Sequence, residues 1–315
     1  MNKELPYLTS LRGVCAFAVL MAHCTWFPVG GRAVDVFFVL SGYVLTWGQM
    51  RRPRGAAAFW LARLARTAPT HIVATLLVGV AIIAAGSDTP LRLAANLGLL
   101  PIFADPHLPI NPPTWSLAVE WLCYLAFPLA FTAIVRAPIA ALAVFGAVMV
   151  SHDFFFHWVG WPAVILNGAT EFGVGACVAA AGLEPRPVRW LAWVDSAPLR
   201  WLGDISFPLY LVQILPLFVL CDGSGINNVN RPGFLHHLLA AIAALSLAAA
   251  LHVLVEAPAR NWFRNTGGGI ALAPLWRRAA TASWRRSVTA RDLRSADPPA
   301  IPLAAAESTP IDLKF

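Results

Sequence analysis

Charge is scarce in this chain. Of its 315 residues only 12% are charged and 58% are hydrophobic, whereas soluble domains carry about 25% charged residues. An ordinary soluble globular domain is thereby excluded. There is no G-x-S-x-G nucleophile elbow and no glycine-rich phosphate loop. Cysteine is sparse as well. Cys15, Cys24, Cys123, Cys177 and Cys221 form no C-x-x-C pair, and each lies in or beside an apolar run, so they read as small buried hydrophobes. His152, Asp153 and His157 have a loosely metal-like spacing without a clear additional ligand, and no metal site is expected. No internal repeat of the inverted-transporter kind is visible. The net charge of +7 is mostly arginine in loops and tail. With no soluble basic domain to hold a duplex, it points to topology and lipid contact rather than nucleic acid.

What is present is a series of apolar runs, with a mean hydropathy of +0.65. About 20 apolar residues suffice to cross a bilayer. The pattern predicts an all-α polytopic transmembrane bundle of about eight spans, with eight to ten allowed. They are Tyr7–Phe27, Val34–Met50, Thr67–Ala85, Thr114–Val135, Pro138–Val150, Trp158–Ala181, Leu202–Cys221 and Phe234–Val255. Leu91–Phe103 is too short and is expected to be re-entrant or interfacial. The first run is too long for a signal peptide, is interrupted by Arg12 and His23, and lacks a small-residue cleavage site. Trp26, Trp47, Trp60, Trp115, Trp158, Trp161, Trp201 and Trp262 fall near segment ends, as aromatic belts do.

Arginines after the second run, before Leu202 and after Val255 place those segments and both termini in the cytoplasm by the positive-inside rule. The Pro-rich loop Asp105–Pro113 is then expected outside. Ala169, Gly173, Gly175, Cys177 and Ala179 give one span a small-residue face suited to close helix contact. Residues 1–264 form the membrane domain. Residues 265–315, basic at first and then rich in Pro, Ala and Ser, form a largely disordered cytoplasmic tail.

Several ionisable residues stand inside the apolar runs, where they are costly and mark functional sites. Arg12 and His23 lie eleven residues apart on the first. On a helix that is about 16 Å along one face, a spacing suited to the two ends of an elongated ligand. Asp35 opens the next helix. Its carboxylate could hold the His23 imidazole in one tautomer and leave the other nitrogen free as a base, or could simply cap the helix. Glu120 lies six residues into the span starting at Thr114, at a depth similar to that of His23. It could orient His23, act as a base, bind a sugar hydroxyl, or pair with an arginine. Arg63 and Arg66 share a helix face and suit a phosphorylated ligand, or supply positive-inside charge. Glu256, at the inner end of the last span, could pair with Arg12 or Arg66.

Four motifs run in register over this layout. They are Arg12 and His23 at R-x10-H spacing, Val34-Asp35-Val36-Phe37-Phe38-Val39-Leu40-Ser41-Gly42, Arg63-x-x-Arg66-x-x-Pro69, and Trp115-Ser116-Leu117-Ala118-Val119-Glu120. In this order they resemble the acyltransferase-3 family of membrane O-acyltransferases, over Leu8 to about Arg264. The resemblance implies transfer of an acyl group, acetyl by default, from cytoplasmic acyl-CoA to a hydroxyl of an extracytoplasmic or lipid-linked glycan, at the bacterial plasma membrane. It implies Arg12 and His23 as essential residues. On this basis His23, Asp35 and Glu120 are the candidate catalytic residues, Arg12, Arg63 and Arg66 the candidate donor-binding residues, and Ser41, Trp115 and Ser116 the candidate substrate-binding residues. Acyl-CoA is the expected donor, with no metal. Gln213 stands where many members have a histidine, and the middle of the chain is short for the family. A transporter or flippase, or a non-catalytic component of glycan assembly, are the alternatives. Oligomeric state is not legible.

Overall fold

A computed structural model of the chain describes residues 6–25, 30–86, 88–100, 109–151, 161–183, 196–221 and 233–265. Every element among them is helical. The helices are α1 (Pro6–Thr25), α2 (Gly30–Arg51), α3 (Ala56–Ala84), α4 (Pro90–Leu97), α5 (Thr114–Arg136), α6 (Pro138–Ser151), α7 (Trp161–Ala180), α8 (Ala197–Asp204), α9 (Ser206–Val212), α10 (Ile214–Leu220), α11 (Phe234–Leu251) and α12 (Ala257–Asn265). A π turn, His252–Glu256, joins the last two.

Six helices are long and apolar enough to cross a membrane, and a seventh span results if α8 and the α9–α10 pair, bent by 56°, count as one. The short apolar α6 completes the polytopic bundle expected from the sequence. The small-residue face of α7 sets the tightest contact. A Cβ on Gly42 of α2 would collide with the Phe172 carbonyl, and one on Gly175 of α7 with the Val39 carbonyl. The two backbones therefore touch directly, as small residues permit in lipid. Gly13 of α1 and Gly203 of α8 meet in the same way.

α1 is shared by two cores. Ala16, Leu20 and Cys24 pack with Leu209, Val212, Leu217, Ala240 and Ala244. Cys15 and Val19 pack into the other, with Phe38, Phe59, Tyr124, Phe127 and Phe172. Held on both sides, α1 keeps its polar residues at fixed depths, and its 20 residues span about 30 Å.

Several expectations are corrected. α3 starts at Ala56, eleven residues before the expected Thr67. Arg63 and Arg66 therefore lie within α3 rather than before the third span, and Arg63 is only 7% exposed. Trp60 is not a belt residue, since its Nε1 donates to the Tyr124 carbonyl at 2.9 Å. Trp115 packs against Phe38 between helices rather than at a surface. Trp201 and Trp262, at 48% and 68% exposed, keep the outward position expected of a belt.

The short apolar segment forms α4, eight residues and just over two turns long, followed by Leu99 at φ 58°. Only 109–113 of the Pro-rich loop are described, and they dip into the bundle rather than lying at its surface. Asn111 is fully buried and its Nδ2 donates to the Leu211 carbonyl at 3.0 Å. Asn96 of α4 accepts from the Ile110 amide at 2.8 Å. These bonds satisfy polar backbone that would otherwise be orphaned in an apolar interior. Trp26, Trp158, residues 152–157 and the tail from 266 lie outside the described residues.

Substituting Gly42 or Gly175 by alanine should overpack the α2–α7 contact, at a cost of about 1–3 kcal/mol. Thermal unfolding in detergent should show a lower midpoint for each variant. An unchanged midpoint would mean that these helices do not touch there.

Candidate functional site

The polar residues of the bundle form a line that follows α1. At the end where α1 begins, α3 contributes Arg63 and Arg66, α5 contributes Glu120 and Tyr124, and Glu256 enters from the π turn. Glu120 Oε1 accepts from Ser41 Oγ and from Tyr124 Oη, both at 2.5 Å. Arg12 lies within electrostatic reach of Arg66, Glu120, Tyr124 and Glu256. Arg63 is within reach of Arg66, Tyr124, Arg54 and Glu120. Arg12 and Arg63 thus flank one hydrogen-bonded carboxylate, with Arg66 beside both arginines and Glu256 as the second negative group. Glu256 is 3% exposed, and it meets His252 Nδ1 at 2.9 Å and Arg260 at 3.9 Å.

Two clefts open at this end. One, of ≈ 350 Å³, is lined by Arg54, Arg63, Arg66, Arg260, Phe263 and two alanines. Its neighbour, of ≈ 420 Å³, shares Arg54 and Arg63 and adds Arg52, Gln49 and the apolar wall of Val44, Leu45 and Phe59. Arg54 lies in the turn between α2 and α3, where burial, and then the neighbouring Arg52, hold its guanidinium below the ordinary value. Buried Arg63 Nε has no partner. An anion is the chemistry such a basic, incompletely paired mouth accepts.

At the opposite end of α1, the His23 imidazole lies against the Gln213 side chain at the α9–α10 junction. Between the two ends runs Ser116, whose Oγ contacts Tyr210 Oη at 2.7 Å and donates to the Pro113 carbonyl at 3.1 Å. Tyr210 is also within reach of Glu120.

The residues singled out in the sequence thus separate into groups. Arg12, Arg63, Arg66, Glu120 and Ser41 come together. Ser116 stands midway, and Trp115 packs against Phe38. His23 stands at the far end. Glu120 does not share the depth of His23, because α5 starts inside the bundle. Thr114, its first residue, is buried, and Trp121, next to Glu120, donates to Thr67 of α3 at 3.2 Å. Asp35 is engaged elsewhere. It pairs with Arg32 at 3.4 Å, and the Glu171 carboxyl of α7 lies beside it.

A family model described as an acyltransferase domain, acyltransferase-3, matches residues 5–195. The chain belongs to the acyltransferase-3 family. Among curated proteins, an acyltransferase (MdmB) of Streptomyces mycarofaciens is 33% identical over 164 residues, covering 44% of this chain and 42% of that protein. A protein of Staphylococcus aureus (strain COL), named as a candidate O-acetyltransferase, is 28% identical over 149 residues, covering 40% of this chain and 24% of its own length. The chain spans less than half the length of these relatives. No solved structure matches it.

The acyltransferase-3 match contains every candidate residue except those of the last helices. Tyr124, Tyr210, Arg54, Arg260 and Glu171 had been given no role from sequence. Tyr124 carried a usable signal, since it lies four residues after Glu120 on the same helix face. Arg54 and Arg260 looked like loop charge, and only the folding of α12 against α3 brings them to one mouth.

Replacing Glu120 by alanine should leave the buried arginines underneutralised and cost about 3 kcal/mol or more. Glu120→Gln keeps an oxygen for Ser41 and Tyr124 but loses the charge, so its melting midpoint should fall between those of the wild type and Glu120→Ala. Coincident midpoints for all three proteins would contradict the charge cluster.

Proposed function

We propose that the protein transfers an acyl group, acetyl by its relatives' names, from acyl-CoA to a hydroxyl of a glycan or lipid-linked saccharide. The observation that carries this reading is α1 itself, which has a guanidinium at a basic, cleft-bearing mouth and an imidazole about 16 Å further along. In this proposal the Arg12 end faces the cytoplasm of a bacterial cell, both termini lie there, and the His23 end faces the acceptor.

Arg54, Arg63, Arg66 and Arg260 offer donors to the phosphates of the acyl donor, and Arg12 supplies charge behind them. Bidentate guanidinium–phosphate bonds give both strength and orientation. The line through Ser41, Ser116 and Tyr210 is the direction the donor arm takes toward His23, with α1 as one wall. His23 removes the proton from the acceptor hydroxyl. The hydroxyl oxygen then attacks the thioester carbonyl carbon, and the carbon–sulfur bond breaks as the ester forms. The sulfur leaves as thiolate and takes up the proton that His23 holds. General-base assistance of this kind contributes about 10²–10⁴-fold.

Asp35 is proposed here as a support of α2 against α7 rather than as the partner of His23. Glu120 is proposed as the counter-charge and positioning group of the arginines. Trp115 helps to wall the path.

The test uses the full-length protein in lipid nanodiscs with labelled acetyl-CoA, and mass spectrometry of surface-glycan esters with and without the gene. His23→Ala should lose transfer by about 10²-fold or more while inserting normally. Arg63→Ala and Arg66→Ala should raise the donor KM by about tenfold or more, with smaller changes in kcat. Unchanged ester content with His23→Ala would end this reading.

A further inference from the structure

Gln213 is fully buried at the junction of α9 and α10, where its backbone stays helical. Its Nε2 donates to the Tyr210 carbonyl at 3.1 Å. A carbonyl only accepts, so this bond fixes which end of the amide is which and turns Oε1 the other way. The His23 imidazole lies against that side chain. His23 Nδ1 and Gln213 Oε1 are both buried, and neither has a hydrogen-bond partner among the described residues. A buried amide oxygen and ring nitrogen without partners are costly, and one hydrogen bond between them would remove both costs.

We propose that Gln213 is the positioning residue of His23. Its Oε1 accepts from Nδ1–H, fixing the tautomer that leaves Nε2 as the free base. This rests on the transfer activity proposed above only for its consequence, since the pair itself is a property of the fold.

Other groups near this end of α1 are engaged. Asp35 on α2 pairs with Arg32 and lies beside the Glu171 carboxyl. Tyr210 on α9 meets Ser116. On α1 itself Cys24 neighbours Cys221 and donates to the His237 carbonyl of α11 at 3.9 Å. Two further titratable side chains, His236 and His237, stand at the start of α11. Among the described residues, the side chain set against the imidazole is the uncharged amide of Gln213. The partner is therefore a neutral acceptor, which orients a histidine without holding it protonated.

Three variants test this in nanodiscs: Gln213→Met, Gln213→Glu and Gln213→Asn. Each is melted first, so that folding is known. Reaction of His23 with diethyl pyrocarbonate, followed by mass spectrometry of its peptide across about pH 5–9, reports the neutral imidazole and needs neither donor nor acceptor. Gln213→Met loses the acceptor, which serves the imidazolium best, so its midpoint should fall. Gln213→Glu adds a charge and should raise the midpoint by about one unit. Gln213→Asn keeps the amide but shortens its reach, and should behave as Gln213→Met does. In transfer, Gln213→Met should lose about 10²-fold in kcat with the donor KM retained.

Equal midpoints in the wild type and the folded variants would overturn the pair, and full kcat in Gln213→Met would overturn its positioning role. Shifted midpoints in a protein that transfers nothing would overturn the proposed activity and leave the pair standing.

Discussion

A guanidinium inside an apolar bundle must be neutralised close at hand, because in a low-dielectric interior distant charge does not substitute for a neighbour. Arg12, Arg63 and Arg66 impose that requirement on α1 and α3. Glu120 answers it from α5 and Glu256 from the π turn. Four segments far apart in sequence are thereby drawn to one level. Ser41 and Tyr124 complete the arrangement by occupying Glu120 Oε1, which fixes the rotamer of the carboxylate. With three arginines here against two carboxylates, and Arg54 and Arg260 nearby, positive charge is left over. That surplus makes the mouth receptive to an anion.

The packing of α1 keeps the two ends of the polar line at a set separation. Its contacts with α8 and α9 on one side and with α2 on the other involve backbone as well as side chains. A helix held this way does not easily slide, so the distance between Arg12 and His23 is a structural constant rather than a consequence of ligand binding. The buried loop 109–113 extends the same constraint to the start of α5, since Asn111 ties it to the Leu211 carbonyl near the end of α9.

Much of this was legible in the sequence. The apolar runs gave the all-helical membrane bundle, and the R-x10-H spacing gave a polar stripe on one helix. The glycine-bearing face of the seventh helix announced its close contact. Depth was harder to read. Glu120 was counted from the helix start on the assumption that the start lies at the membrane surface, and α5 instead begins in the interior. Asp35 was assigned to His23 on proximity along the chain, but Arg32 and Glu171 compete for it. Arg32, three residues away, was visible as an i,i+3 partner, whereas Glu171 lies on a helix more than a hundred residues away and cannot be seen from a motif. Arg63 and Arg66 were read on one helix face, but the third span was started at Thr67, which left both outside it and hid the burial of Arg63. The alanine-rich run 56–58 is weakly hydrophobic but strongly helical, and it carries the helix back past both arginines.

The π turn at His252–Glu256 has a consequence for the phase of the last helix. Ala240, Ala244, Ala248 and Leu251 are buried along one face of α11. Ordinary α winding would bring Val255 next onto that face. Instead Val255 is half-buried and Glu256 is 3% exposed. One extra residue in a turn rotates everything after it by about 100°. The final helix therefore carries two seams, a greasy one and an acidic one, offset by a single wide coil. Whether the arginines find a second carboxylate or an aliphatic side chain is decided by that one residue of winding.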